Sequence, residues 1–209
     1  MTVVAGNHNR RNSVVTFLTA GVMMDKNCST SKTGFSVAIL PIVVVPDAVL
    51  KKRAQDVTNI DEGIRTLAKD MADTMYHAPG IGLAANQVGR LVRLIVFDIV
   101  YPYAAPHEKK RNPICILNPR ITMAEGSCSN EEGCLSVPQF GLEVRRAQRV
   151  HVAGVDLDGN PVSMDAEGLL ARVLQHEIDH LNGATILDHA SPLKRNLYKR
   201  RLKKKQRIE

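Results

Sequence analysis

The sequence predicts an α+β fold. Three observations carry this. Apolar residues recur at helical spacing from Ile60 to His77, and a second amphipathic stretch runs from about Ala166 to Asn182. The residues between them break into short strands separated by turn signals, a grouping that does not suit an alternating βαβ plan.

Residues 1–36 are rich in Asn, Ser and Thr and show no period, so they are expected to be a disordered extension. The run from Ser13 to Met24 follows Arg10 and Arg11. Its apolar part is weak and no small-x-small cleavage pattern follows, which disfavours a signal peptide. A start at Met23 or Met24 and a transit peptide are the other readings. The first helix presents Ile64, Leu67, Ala68, Met71 and Met75 on one face and stops at Pro79-Gly80. Val92 to Ile99 reads as a buried strand. Tyr101 to Pro113, with three prolines and a basic cluster, reads as a loop. Short strands are expected at Ile114–Leu117, Arg120–Ala124, Leu142–Arg145 and Arg149–Val155, with a hairpin turn at Asp158-Gly159. Asp165 is a candidate N-cap for the second helix, Glu167 falls in its first turn, and Gly183 is its stop. Ser191-Pro192 opens a basic terminal helix.

Composition narrows the class. The 209 residues suit one domain with additions at its ends, and 44% hydrophobic with 23% charged residues excludes wholesale disorder. No apolar run approaches the roughly 18–20 residues of a membrane-spanning helix. With no Trp and 4% aromatics, the core must be aliphatic. The net charge of +7 is localised. Nine of the 28 Lys and Arg lie between Pro192 and Glu209 beside one acid, leaving 19 bases and 20 acids elsewhere. A basic tail on a neutral body fits a tether to a polyanion; the alternative is a solvated helix. Cys28, Cys115, Cys128 and Cys134 are not closely paired, which argues against a disulfide scaffold and for a reducing compartment.

The chemistry concentrates at Gln175-His176-Glu177-Ile178-Asp179-His180, an HExxH sequence. His176 and His180, four residues apart on a helix, share a face at the separation one metal ion needs. Leu170, Val173, Leu174, Ile178 and Leu181 form an apolar stripe, and Glu177 falls near its middle. Burying a carboxylate there is costly unless a buried Arg pairs with it. Beside a metal ion it makes sense as a general base of raised pKa. A catalytic site needs a third protein ligand and an open position. Position 186 is Ile and the only Glu after His180 is Glu209, so the third ligand comes from upstream. Glu132-Gly133-Cys134-Leu135-Ser136 is the best candidate: Gly133 lets the backbone approach the ion and Cys134 offers a thiolate. The alternative for Cys134 alone is a small buried hydrophobe. Gly80 to Gly89 matches a dinucleotide fingerprint in part, but it follows a helix, and too few residues separate it from the next strand. It reads better as a glycine-bearing segment along which a substrate can lie, with Gln87 as amide donor; the alternative is a plain loop packed by its alanines. Arg172, one turn before His176, lies beside the site.

Together, GIGLAANQ from Gly80, EGCLS from Glu132 and QHEIDH from Gln175 resemble the three motifs of the peptide deformylases, in the family's order. The similarity runs from about Val37 to Lys194. The resemblance implies mixed and antiparallel sheets wrapped around a central HExxH helix, with an N-terminal helix and a C-terminal basic helix. It implies a catalytic domain over residues 37–190 and a basic helix over 191–209. It implies Cys134, His176 and His180 as ligands of one divalent ion per chain, with Fe²⁺ expected and Zn²⁺, Ni²⁺ or Co²⁺ able to replace it. Glu177 would be the general base, Gln87 and the Leu135 N–H would bind the formyl oxygen, and Ile81, Gly82 and Gly133 would line the substrate. The implied reaction is removal of the formyl group from formyl-methionyl nascent peptides at the ribosome, whose RNA the basic helix would contact. A cytoplasmic monomer with no membrane contact is expected, or an organellar one if the extension is a transit peptide. Two rival readings stand beside it: another HExxH zinc peptidase, and a nucleic-acid-binding protein with a structural Cys–His zinc site closed by Cys128.

Overall fold

The structure, a computed structural model, describes residues 38–105 and 107–205. The expected extension over residues 1–36, with Cys28, lies outside the described residues. Helix α1 (Glu62–His77) starts as its sequence directs: the Asp61 carboxylate accepts from the Ile64 N–H, and Ala68, Met71, Ala72, Thr74 and Met75 are buried. Five strands then form one antiparallel sheet in the order β1 (Gly82–Ala84), β2 (Leu94–Phe97), β3 (Ile114–Glu125), β6 (Arg149–Val155), β7 (Pro161–Glu167). Strands β4 (Cys128–Cys134) and β5 (Val137–Arg146) pair separately. After them come α2 (Gly168–Leu181), the short α3 (Ile186–His189) and α4 (Pro192–Lys205).

Strand β2 explains its own composition. Leu94 and Val96 pack with Met71 and Met75 of α1, while Ile95 and Phe97 pack with Val173, Leu174 and Ile178 of α2. A strand covered on both faces needs no polar alternation, and Leu-Ile-Val-Phe has none. Helix α2 and the inner faces of β3, β6 and β7 complete that core.

Several expectations change. The sheets are antiparallel throughout; the one parallel pairing among the described residues is the isolated bridge between Gln55 and Val92. The two strands expected at 114–124 are one, bent where Asn118 takes φ +51° before Pro119 and the register with β6 slips. Asp165 is not a helix cap. It lies in β7, and its carboxylate meets His151 Nδ1 at 2.7 Å. Val162, Met164 and Ala166 alternate toward the core, and this period of two holds the chain in the sheet as far as Glu167. Gly168, at φ +59°, turns the corner, and the helix starts there. Gly183 does stop α2: it takes φ +81°, and a Cβ would meet the Lys51 carbonyl. The basic helix α4 is not wholly solvated. Leu193 and Leu197 are exposed, but Tyr198 is buried against Val137, Ile186 and Leu187, and its hydroxyl donates to the Pro138 carbonyl at 3.0 Å.

Candidate active site

The last residue of β4 meets the middle of α2. Ligand atoms of Cys134, His176 and His180 all lie within 4.8 Å of one another, with Cys134 Sγ 3.2 Å from His180 Nε2. The two imidazoles stand edge to face, centroids 5.0 Å apart. His176 Nδ1 donates to Glu132 Oε2 at 3.0 Å, which turns its Nε2 toward the cluster. His180 Nδ1 is buried with no protein partner. A thiol and two imidazoles converging from one side form a donor set of borderline softness suited to Fe²⁺, Co²⁺, Ni²⁺ or Zn²⁺. These residues therefore fit a divalent ion. Without one, burial disfavours charge on both rings. The Cys134 sulfur and the Glu132 carboxylate outweigh that at His176 and hold its pKa well above the usual value; at His180, burial and neighbouring cations hold it well below.

Behind the ligands lies a buried ion-pair network that the sequence reading did not single out. Glu132, fully buried, accepts from Arg146 Nε at 2.9 Å and Nη2 at 3.0 Å, and Arg146 Nη1 reaches Asp179 Oδ2 at 2.5 Å. Burial alone would raise the Glu132 pKa; the hydrogen bonds and charges of His176 and Arg146 win and pull it down to about 2. A signal existed. Leu142 and Val144 point inward on β5, so Arg146 two residues on must also point inward, and an inward Arg needs a carboxylate. We expect Arg146→Met to cost about 3–5 kcal/mol, because it leaves a buried charge uncompensated. Loss of the second-layer contact should also weaken metal binding by about 10–100-fold through His176. Denaturant unfolding and metal titration check both, and an unchanged metal affinity would separate Arg146 from the site. The stability this carboxylate contributes is fully present above about pH 4.5 and is lost as pH falls toward about 2.

Glu177 is 4% exposed, and its Oε2 has no hydrogen-bond partner. A buried Arg does exist nearby, but Arg146 is committed to Glu132 and Asp179. Burial, the largest effect, raises the Glu177 pKa to about 7. Gly82 runs so close that a Cβ there would collide with Glu177 Oε1. Strand β1 is the sheet edge. The Asp98 N–H bonds Ile81 O, and the Ala84 N–H turns away from β2 to Gln87 Oε1, so the ladder's alternation directs the Gly82 N–H and C=O off the sheet. Gln87 Nε2 sits 3.3 Å from Ser136 Oγ and 3.8 Å from Cys134 Sγ. One pocket is lined by Ile81, Gly82, Gln87, Gly133, Cys134, Leu135, His176 and Glu177, together with Gly80, Glu132, Arg172 and Val173. Cys128 stands at the far end of β4, about 20 Å of strand away from Cys134, and the cluster contains three ligand residues without it. A site closed by Cys128 is therefore not what these residues form.

Known proteins resemble this chain in sequence and fold. A family model described as polypeptide deformylase matches residues 39–196. A peptide deformylase of Thermodesulfovibrio yellowstonii is 48% identical over 169 residues, which are 81% of this chain and 99% of that one. The crystal structure of a peptide deformylase from Legionella pneumophila matches with a TM-score of 0.74 at 46% identity, covering 82% of this chain and 97% of that one. A Met-Ala-Ser-bound class I type b peptide deformylase from Acinetobacter baumannii matches with a TM-score of 0.67 at 32% identity, over 74% of this chain and all of that one. A family model that spans most of the chain, and relatives alike over nearly their whole length, show that this chain belongs to the polypeptide deformylase family and is a metallohydrolase of that type.

Proposed function

We propose that this enzyme removes the formyl group from the N-terminal formyl-methionine of newly made chains, releasing formate. The observation that carries the reading is Glu177, a buried carboxylate with one oxygen unbonded, beside three convergent ligands. Residues 37–190 would form the catalytic domain, its sheets wrapped around the HExxH helix. Cys134, His176 and His180 would hold one divalent ion, which when bound acidifies water and polarises the formyl carbonyl. Glu177 takes the proton of the attacking water, and a pKa near neutrality suits it to hand that proton to the departing methionine amine. Gln87 Nε2 and the Leu135 N–H donate to the formyl oxygen as negative charge develops there. The free N–H and C=O of Gly82 pair with the substrate backbone as an added strand. Ile81, Leu135 and Val173 offer an apolar wall to the methionine side chain. Met-Ala-Ser, held by the Acinetobacter relative, is what such a reaction leaves from formyl-Met-Ala-Ser.

The test is formate release from formyl-Met-Ala-Ser by anaerobically purified protein, with no release overturning the reading. Fe²⁺ is the ion we assign. A thiolate beside an oxidisable metal is fragile, so activity should decay in air, be protected by catalase, and decay more slowly with Ni²⁺ or Co²⁺. Air-stable activity with zinc as the only metal would overturn iron.

Helix α4 carries the ribosome contact in this reading. Cutting the chain after Ser191 removes the buried Tyr198, a loss of about 1.5–3 kcal/mol of burial, so the melting temperature should fall. Hydrolysis of a short formyl-peptide below that temperature should persist. Co-sedimentation with ribosomes should weaken, and the full chain's binding should drop steeply with salt as phosphate contacts release counterions. Equal, salt-insensitive sedimentation of both forms would reduce α4 to a structural helix.

A further inference from the structure

Arg172 is the one cationic residue outside the reacting cluster on the pocket wall, and among the described residues nothing answers its charge. The other charged or titratable lining residues have local roles: Glu132 pairs with Arg146 and His176, while His176 and Glu177 belong to the reacting cluster. Arg172 stands on α2 one turn before His176. No hydrogen bond or ion pair involves it among the described residues, and its Nε is buried without a partner. The two buried arginines are engaged elsewhere: Arg93 also leaves its Nε unbonded, but its other nitrogens bind Asn182 and Pro119 O and it pairs with Asp56, and Arg146 binds two carboxylates, whereas the partly buried Arg172 has neither kind of partner among the described residues. A guanidinium with a buried, unbonded donor costs free energy unless a ligand completes it.

We propose that Arg172 is a specificity residue, which selects formyl-peptides carrying an acidic side chain at the second or third position. This rests on the deformylase reading above. Residues four apart on a helix lie over one another, so a peptide whose formyl carbon reaches His176 and Glu177 runs past Arg172 as its chain leaves the pocket. Arg172 and Val173 line the same pocket, and the planar donor fork of a guanidinium suits a carboxylate. Gly82 lines the same pocket and, in the reading above, pairs with the peptide backbone, so the side chains after methionine leave the pocket in a fixed register.

The experiment compares kcat/KM for formyl-Met-Asp-Ser, formyl-Met-Lys-Ser and their third-position counterparts, formyl-Met-Ala-Asp and formyl-Met-Ala-Lys. The native protein is set beside R172Q, R172K and R172E, each measured as a ratio within one protein. The native chain should favour the acidic peptide by about threefold to tenfold, mostly through KM, because a partly desolvated charge pair acts on binding. The ratio should shrink as salt rises. R172K should keep much of the preference, R172Q should lose it and R172E should invert it. Equal ratios in the native protein and R172Q, or no inversion in R172E, overturn the role of Arg172. Failure of the native protein to hydrolyse any formyl-peptide overturns the parent reading and this one with it.

Discussion

Glu177→Gln should abolish turnover while the protein keeps its metal. Glutamine matches the carboxylate in shape and leaves Cys134, His176 and His180 untouched. It cannot take a proton from water or return one to the amine. The loss should be at least about 10²–10⁴-fold in kcat, measured as formate release with metal content determined in parallel. Near-normal turnover at full metal loading would remove Glu177 from the reaction. The same variant should not be less stable. The native carboxylate sits on an apolar helix face with one oxygen unbonded, so its charge is a cost to the fold. Its pKa is raised from 4.5 to about 7 on folding. The stability linked to that protonation is therefore present below about pH 4.5 and is lost as pH rises through about 7. In metal-stripped protein, the advantage of Glu177→Gln over the native chain should be smallest below about pH 4.5, grow between about pH 4.5 and 7, and level off above that. Thermal melts across pH would show this. A variant that loses stability at high pH would mean the carboxylate has a structural partner.

Cys134→Ser should cost the metal itself. A serine hydroxyl stays protonated at neutral pH and makes a poor ligand beside two imidazoles. After dialysis the variant should retain almost no divalent ion and no activity, whereas the native chain retains one ion. Cys115→Ser and Cys128→Ser should bind metal normally. Burial pushes the Cys115 thiol up to about 11, and Cys128 begins β4 opposite Arg146, well away from the cluster. Metal content that follows Cys128 rather than Cys134 would overturn the ligand assignment. Refolding with and without metal adds a second readout: metal should raise the native melting temperature and leave that of Cys134→Ser unchanged.

Much of this was legible in the chain, and some of it was not, for reasons that differ by residue. The apolar stripe of α2 and the burial of Glu177 follow from a period of 3.6, which is a property of neighbouring residues. The stop at Gly183 is likewise local. The start of α2 is ambiguous in the sequence because Val162, Met164 and Ala166 also satisfy a period of two, and pairing with β6 decides between the two periods. Strand β4 carries little strand signal. Its Ser-Asn-Glu-Glu run has one partner strand, and little of it faces a core.

The sequence by itself determined the α+β class, the two imidazoles on one helical face, the misplaced carboxylate between them and the concentration of charge in the tail. Only the tertiary structure decided who meets whom. Cys134 lies 46 residues from His180 and reaches it because β4 ends against α2. Arg146 could have neutralised Glu177; the fold gives it Glu132 and Asp179 instead and leaves Glu177 unpaired. Tyr198, on a helix whose composition reads as solvated, packs into an apolar cluster with Val137, Ile186 and Leu187. Periodicity is set within a few residues and survives in the sequence. The partner of a buried charge or ring is set by packing between distant segments, and no local pattern encodes it.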